Sequence, residues 1–137
     1  MHDVKKLDLK VERSLIAEAR KAAAKAYSPF SKVEVGAAIL TSDGRVFSGC
    51  NVENSSYGLS ICAERTAAVK AVSAGSRSFV AVAVVSNLEG LTYPCGACRQ
   101  FLSEFGAGMV VIVSTRGGKA RRHDLGELLP ETFMLKK

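Results

Sequence analysis

The chain has 137 residues, enough for one domain with a sizeable hydrophobic core. Hydrophobic residues make up 47% and charged residues 23%, a globular composition that argues against extended disorder. No apolar stretch is long enough to span a membrane, and the first ten residues lack the apolar centre of a signal peptide. We therefore expect a single domain over residues 1–137, located in the cytoplasm and without a membrane partner.

The net charge of +6 is the feature that would suit a polyanionic partner. The basic residues are scattered, however, and their densest cluster, Lys119–Arg122, contains no aromatic residue on which a base could stack. The sequence therefore favours a solvated basic surface, and we expect no nucleic-acid partner.

The first half of the chain predicts a helix followed by a hairpin. Apolar residues recur with helical spacing over Val11–Ala26, and Pro29 ends that pattern. Val35–Thr41 is a short apolar run typical of a strand, Ser42–Gly44 is a turn, and Val46–Gly49 returns as a second strand.

The second half alternates helices with strands. Ile61–Ala74 and Cys95–Phe105 predict helices, the latter opened by Pro94 at the position that proline tolerates best. The β-branched runs Phe79–Ser86 and Met109–Ser114 predict buried strands.

The C-terminal part predicts an edge strand at Lys119–Arg122 and a last short helix, which Asp124 caps with Glu127 in capping-box spacing. The resulting order is α-β-β-α-β-α-β-β-α. Strands separated by helices predict an α/β fold, a three-layer α-β-α sandwich with helices on both faces of the sheet.

Cysteines are the first candidate functional residues. In a cytoplasmic protein they are metal ligands, nucleophiles or buried small residues rather than a disulfide framework. Cys95 and Cys98 are spaced to converge from one helical turn, and Cys62, at a separate helix start, completes a three-thiolate set. Zinc is the metal that suits such ligands, and a fourth position left to water is typical of a catalytic site. We expect one Zn²⁺ per chain.

Glu64 and Arg65 follow the first of these cysteines. Glu64 is too close to Cys62 for an easy ligand role, but it is well placed to take a proton from water held by the metal. Three thiolates around a divalent cation leave one negative charge, and we expect Arg65 to offset it by hydrogen bonding one or two sulfurs. Cys-Ala-Glu, followed about thirty residues later by Pro-Cys-x-x-Cys, is the signature of the zinc deaminases.

From about Tyr27 to Phe133 the sequence closely resembles the homotetrameric cytidine deaminase family. The resemblance implies a mixed five-stranded sheet, a homotetramer, and hydrolysis of cytidine and deoxycytidine to uridine and deoxyuridine with release of ammonia, in pyrimidine salvage. The matching segments are Val35–Ala38, Gly49–Asn54, Cys62–Ala67, Pro94–Gln100 and Leu128–Pro130.

The resemblance also implies roles for individual residues. Zinc would bind the three cysteines, with Glu64 as proton shuttle. Asn51 and Glu53 match the positions that hold the ribose 3′-hydroxyl, and an amide and a carboxylate two residues apart can together donate to and accept from a hydroxyl. The backbone of Ala63 would contact the base, and Phe133 matches a phenylalanine that reaches into a neighbouring subunit's site.

The sequence departs from the family at Val33. Many members have an aromatic residue there that stacks on the pyrimidine, an interaction worth about 1–3 kcal/mol per base, and valine cannot stack. Phe30, three residues earlier, is a candidate to compensate. The preferred nucleoside therefore stays open.

Three alternatives remain. A deaminase of a related cytosine nucleoside such as blasticidin S, or of a modified nucleoside, shares the zinc chemistry and is favoured by Val33, whereas Asn51 and Glu53 favour cytidine. A polynucleotide deaminase needs an open site and a basic channel, for which this chain has few residues left over. A structural zinc module needs a fourth protein ligand, and the only spare cysteine is Cys50.

Overall fold

The computed structural model describes residues 7–137, and in this range five strands and four α-helices follow one another in the predicted order. Residues 1–6 of the predicted single domain lie outside the described range. A 3₁₀ turn at Tyr57–Leu59 is additional. The elements are α1 (Leu9–Ala23), β1 (Val35–Thr41), β2 (Val46–Cys50), α2 (Ala63–Ser73), β3 (Phe79–Ser86), α3 (Gly96–Gly106), β4 (Val110–Ser114), β5 (Ala120–Asp124) and α4 (Leu125–Leu128).

The strands form one mixed sheet in the order β2-β1-β3-β4-β5. β3 and β4 are parallel, and the other neighbours are antiparallel. Successive side chains of a strand point to opposite faces. Ala38 of β1 accordingly packs with α1 on one face, while Ala37 and Ile39 pack with α2 and α3 on the other. The predicted three-layer α-β-α sandwich is confirmed.

Both ends of α1 differ from the prediction, each because of a specific hydrogen-bond partner. The sequence predicts Val11–Ala26, but the helix runs from Leu9 to Ala23 because Asp8 caps its start, accepting a hydrogen bond of 2.8 Å from the N–H of Lys10. At the other end, Tyr27 forms a β-bridge with the segment that follows β2, so the chain has already left the helix.

α2 begins later than predicted for a similar reason. Ile61 exchanges two backbone hydrogen bonds, of 2.8 and 2.9 Å, with Val52, which keeps it extended until the helix starts at Ala63. The remaining elements agree with the prediction to within two residues at each end. The capping box of α4 is confirmed, with the Asp124 carboxylate accepting from the N–H of Gly126 and Glu127 accepting from the N–H of Asp124.

The register of the sheet brings the ends of β2 and β3 together. Cys50, the last residue of β2, pairs with Gly36, and Ser86, the last of β3, pairs with Val35. β2 and β3 therefore terminate at the same end of the sheet, on either side of the start of β1. The segments that follow them lead to the N-termini of α2 and α3.

Close helix packing on this sheet depends on two glycines. A Cβ at Gly36 would lie 1.8 Å from the carbonyl oxygen of Ala19 in α1, and a Cβ at Gly49 would lie 2.5 Å from the backbone nitrogen of Ala67 in α2. Both helices thus approach the strands more closely than any side chain would allow. In the described part of the chain, no helix has the length and apolar character needed to cross a membrane.

We expect Gly36→Ala to lower the free energy of unfolding by about 3 kcal/mol, because the added methyl group forces α1 away from the sheet. Urea unfolding followed by circular dichroism measures the change. Gly58→Ala is the control, since no atom lies within 4 Å of its added Cβ, and it should change the stability by less than about 0.5 kcal/mol. Equal stability of the Gly36→Ala variant and the parent protein would contradict the close approach.

Candidate active site

Three thiols converge where α2 and α3 begin. Cys62 and Cys95 are the N-cap residues of these helices, and Cys98 lies in the first turn of α3. Their sulfur atoms all lie within 4.8 Å of one another, with 3.8 Å between those of Cys62 and Cys95. Tetrahedral ligands at about 2.3 Å from a zinc ion are about 3.8 Å apart, so the three thiols fit this metal.

The environment of the sulfurs favours negative charge. The cluster stands at the N-termini of two helices, where the positive ends of the helix dipoles favour negative charge. A hydrogen bond with Cys98, aided by Arg65 and Cys95, lowers the pKa of Cys62 to about 5. That same hydrogen bond, together with burial, raises the pKa of Cys98. Because one thiolate suppresses the ionisation of the next, a divalent cation is what would hold all three as thiolates.

Arg65 lies against this cluster. Its Nη2 is 3.6 Å from the sulfur of Cys62, and its pKa is raised chiefly by that hydrogen bond. Its Nε is buried without a hydrogen-bond partner among the described residues. The guanidinium is thus placed where it can offset negative charge on the sulfurs.

Glu64 is a buried carboxyl group beside the cluster, with only 3% of its surface exposed. Burial, with a smaller contribution from the charge of Cys62, raises its pKa to about 7, although a backbone hydrogen bond opposes the shift. A carboxyl group with this pKa can both accept and release a proton near neutral pH, as a proton shuttle must.

A cavity of about 250 Å³ opens in front of these residues. Cys62, Cys95 and Glu64 form one part of its wall, and Asn51 and Glu53 another. Its volume is slightly below the range of about 300–1,000 Å³ that is usual for small-molecule sites. The other lining residues are Val35, Ser60, Ile61, Ala63, Thr92 and Tyr93.

The side chain of Asn51 is already engaged with the backbone. Its Oδ1 accepts a hydrogen bond of 2.8 Å from the N–H of Val35, and its Nδ2 donates one of 2.8 Å to the carbonyl of Val33. These bonds fix the start of β1. The oxygen keeps a second lone pair with which it could accept a hydrogen bond from a ligand.

Glu53 is held by the loop before β1. Its carboxylate accepts hydrogen bonds from the N–H of Phe30 (3.0 Å), the N–H of Ser31 (3.2 Å) and the hydroxyl of Ser31. The hydroxyl bond is the main cause that lowers the pKa of Glu53. Glu53 is therefore fully charged at neutral pH, whereas Glu64, with a pKa of about 7, is only partly ionised there.

Three residues singled out in the sequence do not line this cavity. Val33 is absent from its wall, and Phe30 pairs edge-to-face with Tyr57, at 5.6 Å between ring centroids, in a second cavity that shares only Glu53 and Ser60 with the first. The side chain of Phe133 is 66% exposed, and its carbonyl accepts a hydrogen bond from Gln100.

Sequence reasoning missed Ser60, Ile61, Thr92 and Tyr93, which all line the cavity. The available signal was position, since Thr92 and Tyr93 directly precede Pro94 and the cysteines of α3. No residue type in that segment points to a site by itself.

A family model described as the cytidine and deoxycytidylate deaminase zinc-binding region matches residues 9–114 of the chain. The chain belongs to this family. The resemblance noted in the sequence is thereby confirmed, and so is the expectation of zinc as cofactor, because the matched region is a zinc-binding one and the three thiols can hold a metal.

Individual relatives agree with the family. The cytidine deaminase of Sporosarcina psychrophila is 52% identical over 120 residues, which cover 87% of this chain and 88% of that protein. A crystal structure of cytidine deaminase from Burkholderia pseudomallei superposes with a TM-score of 0.85 at 49% identity, covering 88% of this chain and 98% of that one. The Mycobacterium tuberculosis cytidine deaminase gives a TM-score of 0.80 at 43% identity, with 90% and 98% covered.

In metal-free protein, we expect Glu64→Gln to raise stability at alkaline pH. The pKa of Glu64 is about 7 in the folded protein against an ordinary 4.5, so the stability contributed by its neutral form is fully present below pH 4.5 and is lost as the pH rises through 7. The loss amounts to about 3 kcal/mol. Urea unfolding of chelator-treated protein should therefore show the variant more stable than the parent at pH 8.5 and not at pH 4.

Glu53→Gln is the matched control for that measurement. The pKa of Glu53 is lowered in the folded protein, so its charged form contributes stability above pH 4.5 and loses it as the pH falls through the folded pKa. This variant should be less stable than the parent at pH 8.5. A destabilising effect of Glu64→Gln at that pH would show that the buried carboxyl group is not held near neutrality.

Proposed function

We propose that this chain is a zinc-dependent hydrolytic deaminase that converts cytidine and deoxycytidine to uridine and deoxyuridine with release of ammonia. The observation that carries the proposal is the position of Glu64, a buried carboxyl group with a pKa of about 7, in the wall of a cavity formed in part by the three-thiol cluster. Membership in the deaminase family and the identity to curated cytidine deaminases support it.

Cys62, Cys95 and Cys98 are the residues that would hold the zinc, and Arg65 offsets the negative charge of their sulfurs. When bound there, zinc acts as a Lewis acid that makes water a nucleophile at neutral pH. The cluster borders the cavity, so that chemistry would be available at its wall.

Glu64 moves the protons of the reaction. Its carboxylate takes a proton from the attacking water, whose oxygen bonds to C4 of the cytosine ring, and passes that proton to N3. It then carries the proton of the new hydroxyl group to the exocyclic amino nitrogen. The C4–N bond breaks, ammonia leaves, and the carbonyl of uridine remains. The near-neutral pKa of Glu64 suits both directions of transfer.

Asn51, Glu53 and Ala63 orient the nucleoside. The charged Glu53 accepts a hydrogen bond from the ribose 3′-hydroxyl, and Asn51 offers a free lone pair on its Oδ1. Ala63 is the first residue of α2, so its N–H has no partner within the helix and is available to the base.

The setting of the enzyme is part of the proposal. Free thiols at a zinc site suit the reducing cytoplasm, and recycling of pyrimidine nucleosides there is the role that fits the reaction. A homotetramer is supported by large apolar side chains that remain exposed, since such surface is usually covered by a partner. They are Tyr57 (73% exposed), Leu59 (66%), Phe133 (66%) and Leu135 (75%).

The decisive experiment adds purified protein to cytidine, deoxycytidine and blasticidin S and follows the loss of ultraviolet absorbance, with zinc quantified in the same sample. We expect about one zinc per chain and turnover of both cytosine nucleosides. Val33 is the residue that motivates blasticidin S as a second candidate substrate. Turnover of blasticidin S without turnover of cytidine would overturn the proposed substrate and keep the chemistry.

Glu64→Gln is the control that separates this site from a contaminating activity. It keeps the size of the side chain and removes the proton acceptor, so we expect the fold and the zinc to remain and the rate to fall about a hundredfold or more. Near-normal turnover by this variant would show that Glu64 is not the shuttle.

Phe133 offers a test of the tetramer. If it enters a neighbouring subunit's site, Phe133→Ala should raise KM about tenfold, in line with the loss of a buried phenyl ring. Tetramers mixed from Phe133→Ala and Glu64→Gln chains should be more active than the sum of the two parents, because each chain supplies what its neighbour lacks. Light scattering measures the number of chains, and the absence of complementation would contradict the role of Phe133.

A further inference from the structure

Tyr93 is the only aromatic residue among those that line the 250 Å³ cavity in the described part of the chain. It lies two residues before Cys95, on the side of the cavity where the thiol cluster stands. A substrate whose C4 reacts beside this cluster and Glu64 must place its pyrimidine ring at the same end. A base bound there would therefore lie on the side of the cavity that Tyr93 lines.

His123 holds the ring of Tyr93. The hydroxyl of Tyr93 lies 3.0 Å from Nε2 of His123, and the two rings are 5.3 Å apart at an interplanar angle of 59°. His123 belongs to β5 and is paired with Val111 of the buried strand β4. The tyrosine is thus tied through its hydroxyl to the sheet, which fixes the position of its ring.

A purely structural role is the competing explanation, since the half-buried Tyr93 also packs against the apolar core shared with α2 and α3. The segment is, however, already anchored on both sides of Tyr93. The hydroxyl of Thr92 lies 2.5 Å from that of Ser86 at the end of β3. The carbonyl of Pro94 accepts a hydrogen bond of 2.8 Å from Nε of Arg99. The segment does not need the bond between Tyr93 and His123 as an anchor, so the main effect of that bond is to orient the tyrosine ring.

We propose that Tyr93 is the aromatic residue that contacts the pyrimidine ring in this chain, and that His123 is a positioning residue that acts through the hydroxyl of Tyr93. This inference rests on the proposed function and deepens it. It accounts for the valine at position 33, because Tyr93, from a different segment of the chain beside the thiol cluster, supplies the aromatic surface for the base.

The test compares zinc-loaded Tyr93→Leu, Tyr93→Phe, His123→Ala and the double variant Tyr93→Phe/His123→Ala with the parent. Cytidine kinetics give KM and kcat, and calorimetry with uridine, the product, gives a dissociation constant that does not depend on the chemical step. Tyr93→Leu should raise both KM and the uridine Kd about tenfold, the size expected for a lost aromatic contact with a base. The kcat and the zinc content should stay within about twofold.

The other variants isolate His123. Tyr93→Phe keeps the ring and loses the bond to His123, so we expect a rise of about threefold in KM and Kd, and the same rise for His123→Ala. Because both remove one interaction, the double variant should be no worse than either single variant. His123→Gln, whose amide can still bond the hydroxyl, should recover most of the loss.

Unchanged KM and uridine Kd in zinc-loaded Tyr93→Leu would overturn the inference while leaving the deaminase function intact. Additive effects in the double variant would overturn the role of His123. If Tyr93→Leu fails to fold or to retain zinc, the Tyr93→Phe and His123→Ala pair decides by the same non-additivity in Kd. Absence of cytidine turnover by the parent protein would instead count against the proposed function.

Discussion

Three thiolates whose sulfur atoms lie within 4.8 Å of one another repel each other, and the site depends on how the fold compensates for that repulsion. Compensation comes from the positive dipole ends of α2 and α3, at whose N-termini the cysteines stand, and from the guanidinium of Arg65. The two helices can meet there only because β2 and β3 end at the same edge of the sheet. Gly49, which lets α2 lie against β2, thus serves the chemistry as well as the packing.

The cavity also separates two carboxyl groups that the sequence alone would treat alike. Glu64 has lost its water and gained few hydrogen bonds, so it resists ionisation until near pH 7. Glu53 accepts three hydrogen bonds from Phe30 and Ser31, so it stays charged. One group can therefore exchange protons at neutral pH, and the other can serve only as a hydrogen-bond acceptor. This division matches a reaction at the base and a contact at the sugar.

Much of the fold could be predicted from the sequence because its signals are local. The β-branched run Phe79–Ser86 and the capping box at Asp124 each determine their own element. The limits of α1 and α2 could not be predicted, since Tyr27 and Ile61 are held extended by bridges to Val52, which lies outside both helical patterns. Such a bridge competes with helix formation at positions where helical spacing is present, and the spacing alone does not show which will win.

The site divides in the same way. The thiol cluster, Glu64 and Arg65 could be found because metal chemistry restricts both residue type and spacing. Tyr93 could not be found in this way, since an aromatic residue before a proline does not indicate a site, and its partner His123 comes from the distant strand β5. The same limit applies to Val33, whose replacement of an aromatic residue looks like a loss when positions are compared one at a time. The wall of the cavity is formed by several segments of the chain, and any of them can supply an aromatic contact to the base. A valine at one position therefore constrains the substrate only together with every other residue in the wall.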